Sequence, residues 1–221
     1  MSRLVPSLST LDKVPAPEGA LEATYYIDQH VGRRYASCSF DNFKCGPKEQ
    51  AKKIAALEAC AEYARNFREH FEAGRSLVLV GPKGTGKDHL LTATIRRIAR
   101  NFGKPGKVIF RDGLKLFSEF RAAFNTETTE QAIVEKYISP VLLAISDPLP
   151  PRGTLSEHEQ RMALRIIDGR YRDARPLALT INAVNRQEIS DRMGTQACDR
   201  IFDCAVLVRC IWESYRTEQG F

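Results

Sequence analysis

The stretch that decides the fold runs Ser76-Leu77-Val78-Leu79-Val80-Gly81-Pro82-Lys83-Gly84-Thr85-Gly86-Lys87-Asp88-His89-Leu90. Ser76–Val80 reads as a buried strand, and the residues after Gly86 carry helical spacing through about Arg100. Between them lies the spacing G-x-x-x-x-G-K, in the strand–loop–helix context that gives this motif meaning. Its glycines let the backbone curl until successive N–H groups point into one concavity. The helix start adds its positive dipole end, and together they can hold a di- or triphosphate. Lys87 would reach the β- and γ-phosphates as a mobile point charge. The motif therefore predicts a phosphate cradle built from Gly81, Pro82, Lys83, Gly84, Thr85, Gly86, Lys87, Asp88 and His89. A glycine-rich turn that merely caps a helix is the competing reading.

Working outward, short apolar runs alternate with helical stretches. Lys107–Phe110, Val141–Ile145, Leu177–Ile181 and Ala205–Val208 read as further strands. Helices are expected over Pro47 to Phe71, Gly113–Phe124, Glu130–Tyr137 and Ser156–Arg172. Strands that are apolar throughout, alternating with helices, predict a parallel sheet covered on both faces. The expected class is thus α/β: a P-loop nucleotide-binding fold with a central five-stranded parallel sheet flanked by helices. Pro6, Pro15, Pro17 and Gly19 fall in a stretch without sustained period, so residues 1–32 are expected to be a flexible arm and residues 33–221 the nucleotide-binding domain.

Composition narrows the function classes. With 43% hydrophobic and 27% charged residues, a chain disordered throughout is excluded. Apolar runs of about five residues fall far short of the roughly 18 needed for a membrane span. No basic start followed by an apolar core marks a signal peptide, so a cytoplasmic location with no membrane partner is expected. Six cysteines include no C-x-x-C pair and lie far from the four histidines, which favours free thiols over a zinc site. The net charge of +6 concentrates in residues 83–107, where seven basic residues face the single acid Asp88. Such a cluster suits phosphates, and its distal part, Arg96 to Lys107, is a candidate surface for a nucleic-acid backbone.

Two positions depart from the usual P-loop pattern. The residue after the lysine is ordinarily Ser or Thr, whose hydroxyl ligates Mg²⁺, and here it is Asp88. The strand Val141–Ile145 runs into Ser146-Asp147, placing Ser146 where a metal-ligating Asp is expected and Asp147 where a catalytic acid is expected. Both departures concern one ion. They read either as an exchange, with the carboxylate moved to the loop and the hydroxyl to the strand, or as decay of the site.

From about Arg33 to Arg216 the chain resembles the DnaC/IstB family of AAA+ ATPases, the replicative-helicase loaders and transposition helpers. The resemblance rests on ordered blocks: Arg33-Arg34-Tyr35 through Phe43, Gly81–Leu90, Ile167–Tyr171, Thr180-Ile181-Asn182, Cys198-Asp199-Arg200-Ile201 and Trp212–Arg216. It implies ATP and Mg²⁺ as cofactors and ATP hydrolysis as the expected activity, with a non-hydrolysing adaptor as the rival. Asn182 would orient the attacking water or sense the γ-phosphate, Arg200 would act as an arginine finger in a neighbouring subunit, and Arg216 would contact phosphates from its own. An earlier arginine usual in the finger block is Gln196 here. The implied partners are single-stranded DNA, a replicative helicase or a transposase, and further copies of the chain in an ATP-dependent homo-oligomer. The short arm before the core and the end of the chain soon after Arg216 leave no expected helicase-gripping domain or helical lid. Phe40 and Phe43 are candidates for an adenine wall or for core, and Trp212 for core.

Overall fold

The computed structural model describes residues 16–123, 130–150 and 153–216. Among them five strands form one sheet: β1 (Leu77–Val80), β2 (Val108–Asp112), β3 (Leu142–Ser146), β4 (Leu177–Ile181) and β5 (Val206–Arg209). Every pairing is parallel, and the spatial order is β2-β3-β4-β1-β5. The expected fold class is the one observed. Strand alternation sends Leu77, Leu79, Phe110 and Ala144 to one apolar layer and Val78, Ile109, Leu143 and Ile145 to the other. Covering both faces explains why the strands lack an in/out polarity pattern.

Helices α1 (Ala20–Val31), α2 (Gln50–Arg65) and α4 (Lys87–Phe102) cover the first layer. The second is covered by α5 (Gly113–Ala123), α6 (Glu130–Ile138), α7 (Glu157–Arg172), α8 (Arg186–Met193) and α9 (Thr195–Phe202). Local chemistry sets several of these boundaries. Ser156 caps α7 through a reciprocal capping box with Glu159. Gly86 and Gly103, both left-handed, bracket α4. The expected helix over Pro47–Phe71 divides at Asn66 into α2 and a short α3 (Phe67–Glu72). Asn66 leaves the helical conformation at φ −99°, ψ 23°, and its side-chain amide donates to Glu62, a local bond that competes with the helical ladder. None of the helices among the described residues is long and apolar enough to cross a membrane.

Part of the stretch expected to be an arm is α1, whose Ala20, Ala23, Ile27 and Val31 are buried. Their spacing is helical, but four small or medium apolar residues behind a proline-rich lead make a weak signal. The helix is tied to α4 by Arg96, which ion-pairs with Asp28 at 2.8 Å and donates to the Cys38 carbonyl at 2.8 Å. Arg96 therefore holds elements of the fold together and is not a free member of the basic run.

A second buried arginine fastens the opposite layer. Arg170 of α7 is fully buried and donates to the carbonyls of Tyr137, Ile138, Pro140, Val141 and Pro176, at 2.6–3.4 Å. It joins the end of α6, the entry to β3 and the entry to β4. The sheet position of the ion-binding departures depends on those two strands.

Candidate functional site

The carboxyl ends of β1, β3 and β4 lie side by side, the place where open α/β sheets bind ligands. The β1–α4 loop curls there with Gly81, Gly84 and Gly86 all at positive φ. Lys87 is buried, and its Nζ donates to the carbonyls of Gly81 at 2.8 Å and Pro82 at 2.7 Å. Burial pushes its ammonium below the usual lysine range, while the carboxylates of Asp88 and Asp147 pull it back up. Thr85 is wholly buried and donates to the Pro82 carbonyl, which stiffens the turn. Pro82 and Lys83 stand exposed on the loop.

Register between β3 and β4 pairs Ser146 with Thr180. Asp147, just beyond β3, adopts a left-handed conformation at φ 48° and its N–H donates to the Thr180 carbonyl at 2.9 Å. Its carboxylate accepts hydrogen bonds from the side-chain amide and the N–H of Asn182. Burial raises its pKa above the ordinary carboxylate value, and the two bonds from Asn182 partly offset this. The catalytic-acid and sensor candidates are thus direct partners.

Asp88 lies within this same cluster. Its Oδ1 accepts from Ser146 Oγ at 2.7 Å and from Thr180 Oγ1 at 2.7 Å. The motif positions of the P-loop and the third strand therefore meet, across 58 residues of sequence. Thr180 is a member that sequence reasoning missed; it belongs to the Thr180-Ile181-Asn182 block, but only strand order shows that its side chain faces Asp88. Among the described residues, no group of three or more His, Cys, Asp or Glu could hold a metal. A cation here would have to draw further oxygens from phosphate and water. One carboxylate and two hydroxyls are hard oxygen donors, which fit Mg²⁺ on those terms.

The C-terminal segment Trp212–Arg216 lies across the P-loop. Trp212 Nε1 donates to the Thr85 carbonyl at 2.9 Å, and Tyr215 N to the Gly84 carbonyl at 2.8 Å. Trp212 is buried in the core, as expected, and also grips the loop. A Cβ on Gly84 would collide with Ser214 Oγ and lie 3.5 Å from Arg216 Cγ, so Arg216 sits beside the loop. Phe43 and Tyr215 close over Gly86, where a Cβ would come within 2.9 and 3.2 Å of their rings. His89 packs edge-on against Phe43, with Nε2 donating to the Ser39 carbonyl at 2.8 Å. Phe43 thus lines the site as well as the core, and Tyr215, exposed and ringed by Phe43 and Lys53, was not expected there.

One expected site residue lies elsewhere within the chain. Arg200 of α9 ion-pairs with Asp168 of α7 at 2.8 Å, and Asp168 binds Arg172 through its other oxygen at 2.5 Å.

Gly84→Ala should peel the strap from the loop. At φ +82° an added Cβ is strained, and it also strikes Ser214. Because Trp212 is the chain's single tryptophan, its fluorescence reports the change. A red-shifted emission maximum in a variant that still melts cooperatively is expected; an unshifted spectrum would mean the strap tolerates the methyl group.

The replicative helicase loader DnaC of Buchnera aphidicola subsp. Acyrthosiphon pisum (strain APS) is 27% identical over 185 residues, spanning 82% of this chain and 70% of that protein. The phage-like element PBSX protein XkdC of Bacillus subtilis (strain 168) is 24% identical over 205 residues, 89% of this chain and 71% of that one. Among solved structures, the DnaC helicase loader superposes with a TM-score of 0.68 at 22% identity, over 80% of this chain and 99% of that chain. AMPPCP-bound DnaA from Aquifex aeolicus gives 0.63 at 21% identity, over 81% and 51%. At such identities the structures speak for the fold, that of AAA+ P-loop ATPases. The profile of the IstB-like ATP binding proteins matches residues 36–220, nearly the whole described core, and the chain belongs to that family of ATP-binding AAA+ proteins.

Proposed function

We propose that this chain is an ATP-hydrolysing switch of the helicase-loader type, coupling its nucleotide state to a replicative helicase and to single-stranded DNA. The observation that carries hydrolysis is the Asp147–Asn182 pair at the mouth of the P-loop. A carboxylate whose proton affinity is raised by burial is a better acceptor for a proton from water. Asn182 holds that carboxylate in one orientation and leaves the attacking water a defined approach. Lys87 exchanges the carbonyls of Gly81 and Pro82 for phosphate oxygens when nucleotide enters. Arg216, beside Gly84, meets the phosphates from the same subunit. Bound Mg²⁺ would neutralise phosphate charge next to Asp88, Ser146 and Thr180. The partner assignment is supported by the similarity to a protein named as a replicative helicase loader.

Arg200 acts in this scheme across a subunit boundary, leaving Asp168 to Arg172 when copies assemble. The reading is tested by ATP turnover with and without single-stranded DNA, and by mixing variants. Stimulated turnover, and partial recovery when Arg200→Ala subunits are mixed with Lys87→Ala subunits, are the expected results. Recovery arises because a mixed interface pairs one intact site with one intact finger. ATP bound without turnover in any condition would favour a non-hydrolysing adaptor. Turnover stimulated by a transposase and not by a helicase would favour a transposition helper.

A further inference from the structure

We propose that Asp88 and Ser146 have exchanged the hydroxyl and carboxylate that a P-loop site divides between loop and strand, and that the relocated carboxylate makes nucleotide binding depend steeply on a divalent cation. The proposal rests on the site being a nucleotide site and concerns how it takes the ion.

The usual arrangement places a hydroxyl on the helix start and a carboxylate on the neighbouring strand. Here the same two positions are in contact with the chemistry reversed: Ser146 Oγ on the strand donates to Asp88 Oδ1 on the helix, at 2.7 Å. Either change alone would be harmful. Asp at 88 facing Asp at 146 would set two carboxylates in contact, and their repulsion would weaken ion-free binding further. Thr at 88 facing Ser at 146 would leave the ion position without its carboxylate. Together the changes preserve one carboxylate and one hydroxyl, which decay at two independent positions has no reason to produce. Thr180 completes the arrangement by donating to the same Oδ1, so two hydroxyls hold one carboxylate oxygen in place. Among the described residues Oδ2 accepts no hydrogen bond, which leaves it available to an ion or to its water shell.

The exchange changes how the site responds to charge. A hydroxyl on the loop is neutral toward a polyphosphate, whereas Asp88 brings a negative charge beside it, with Asp147 close by. Lys83, Lys87 and Arg216 attract the polyphosphate, and the Asp88 carboxylate works against them. A bound divalent cation turns the same carboxylate from a repulsive neighbour into a ligand. ATP affinity should therefore depend on the cation more steeply than in a site with a loop hydroxyl.

The test is calorimetric titration of ATP into the full chain, in excess Mg²⁺ and in EDTA. The wild type should lose about tenfold or more in affinity when the cation is removed. Asp88→Asn keeps the shape and still accepts from Ser146 and Thr180, so it should fold; it should gain affinity in EDTA and shrink the gap to about threefold or less. In Mg²⁺, Asp88→Thr and Ser146→Asp should each weaken ATP binding, and the double variant should recover to within about threefold of the wild type. Equal wild-type affinity in the two buffers, or tighter binding by both single variants with additive effects, would overturn the exchange. Wild-type protein that binds ATP in neither buffer would overturn the nucleotide reading itself, a result distinct from both.

Discussion

Lys87→Ala abolishes measurable ATP binding while leaving the chain folded: that is the largest functional effect expected of a single substitution here. Lys87 is the buried cation of the P-loop, and its Nζ already sits against the carbonyls of Gly81 and Pro82. Burial lowers its proton affinity, but the carboxylates of Asp88 and Asp147 work the other way. When phosphate enters, two charge-assisted bonds to anionic oxygens replace two bonds to neutral carbonyls. Hydrogen bonds involving charged groups contribute about 1.5–3 kcal/mol each, so their loss costs about 3–6 kcal/mol, a hundredfold or more in affinity. Calorimetry measures the affinity, and thermal melting checks the fold. The substitution also removes the Lys87 bridge between the Gly81 and Pro82 carbonyls, so the melting temperature should fall by a few degrees. ATP affinity within about threefold of the wild type would remove the phosphate-site assignment.

Arg170→Met should produce the largest loss of stability. The guanidinium is fully buried, makes its five contacts with carbonyl oxygens, and forms no ion pair with a carboxylate among the described residues. Burial lowers its pKa to about 9, so it remains a cation at neutral pH. The carbonyls of Tyr137 and Ile138 belong to the last turn of α6, whose negative dipole end favours the charge. Methionine fills most of the volume but leaves several buried acceptors unpaired, each costing about 1–3 kcal/mol before relaxation. The expected loss is about 3–5 kcal/mol, read from the denaturant midpoint at unchanged slope. Arg170→Lys should fall between the two, because a single ammonium has three donors and cannot span the same set of carbonyls. A loss below about 1 kcal/mol in Arg170→Met would show that water or relaxation satisfies those carbonyls.

Sequence alone determined the elements whose signal is local. Ser76–Val80, Val141–Ile145 and Leu177–Ile181 read as short, largely apolar strands, and the parallel sheet follows from their alternation with helices. The G-x-x-x-x-G-K spacing reads as a phosphate loop because strand, glycines and helix start are consecutive, so no long-range pairing is needed to recognise them. Residues 124–129 and 1–15, covering the end of the expected helix Gly113–Phe124 and nearly half of the expected arm, lie outside the described residues. Tertiary structure alone decided what meets across the sheet. That Asp88 receives hydrogen bonds from both Ser146 and Thr180 depends on β4 lying between β1 and β3, an order no periodicity encodes. The same holds for the strap of Trp212–Arg216 over Gly84, and for α1, whose weak apolar period gains meaning only once α4 is beside it. Periodicity describes one element's own faces, whereas a binding site is made where faces from distant parts of the chain come into register.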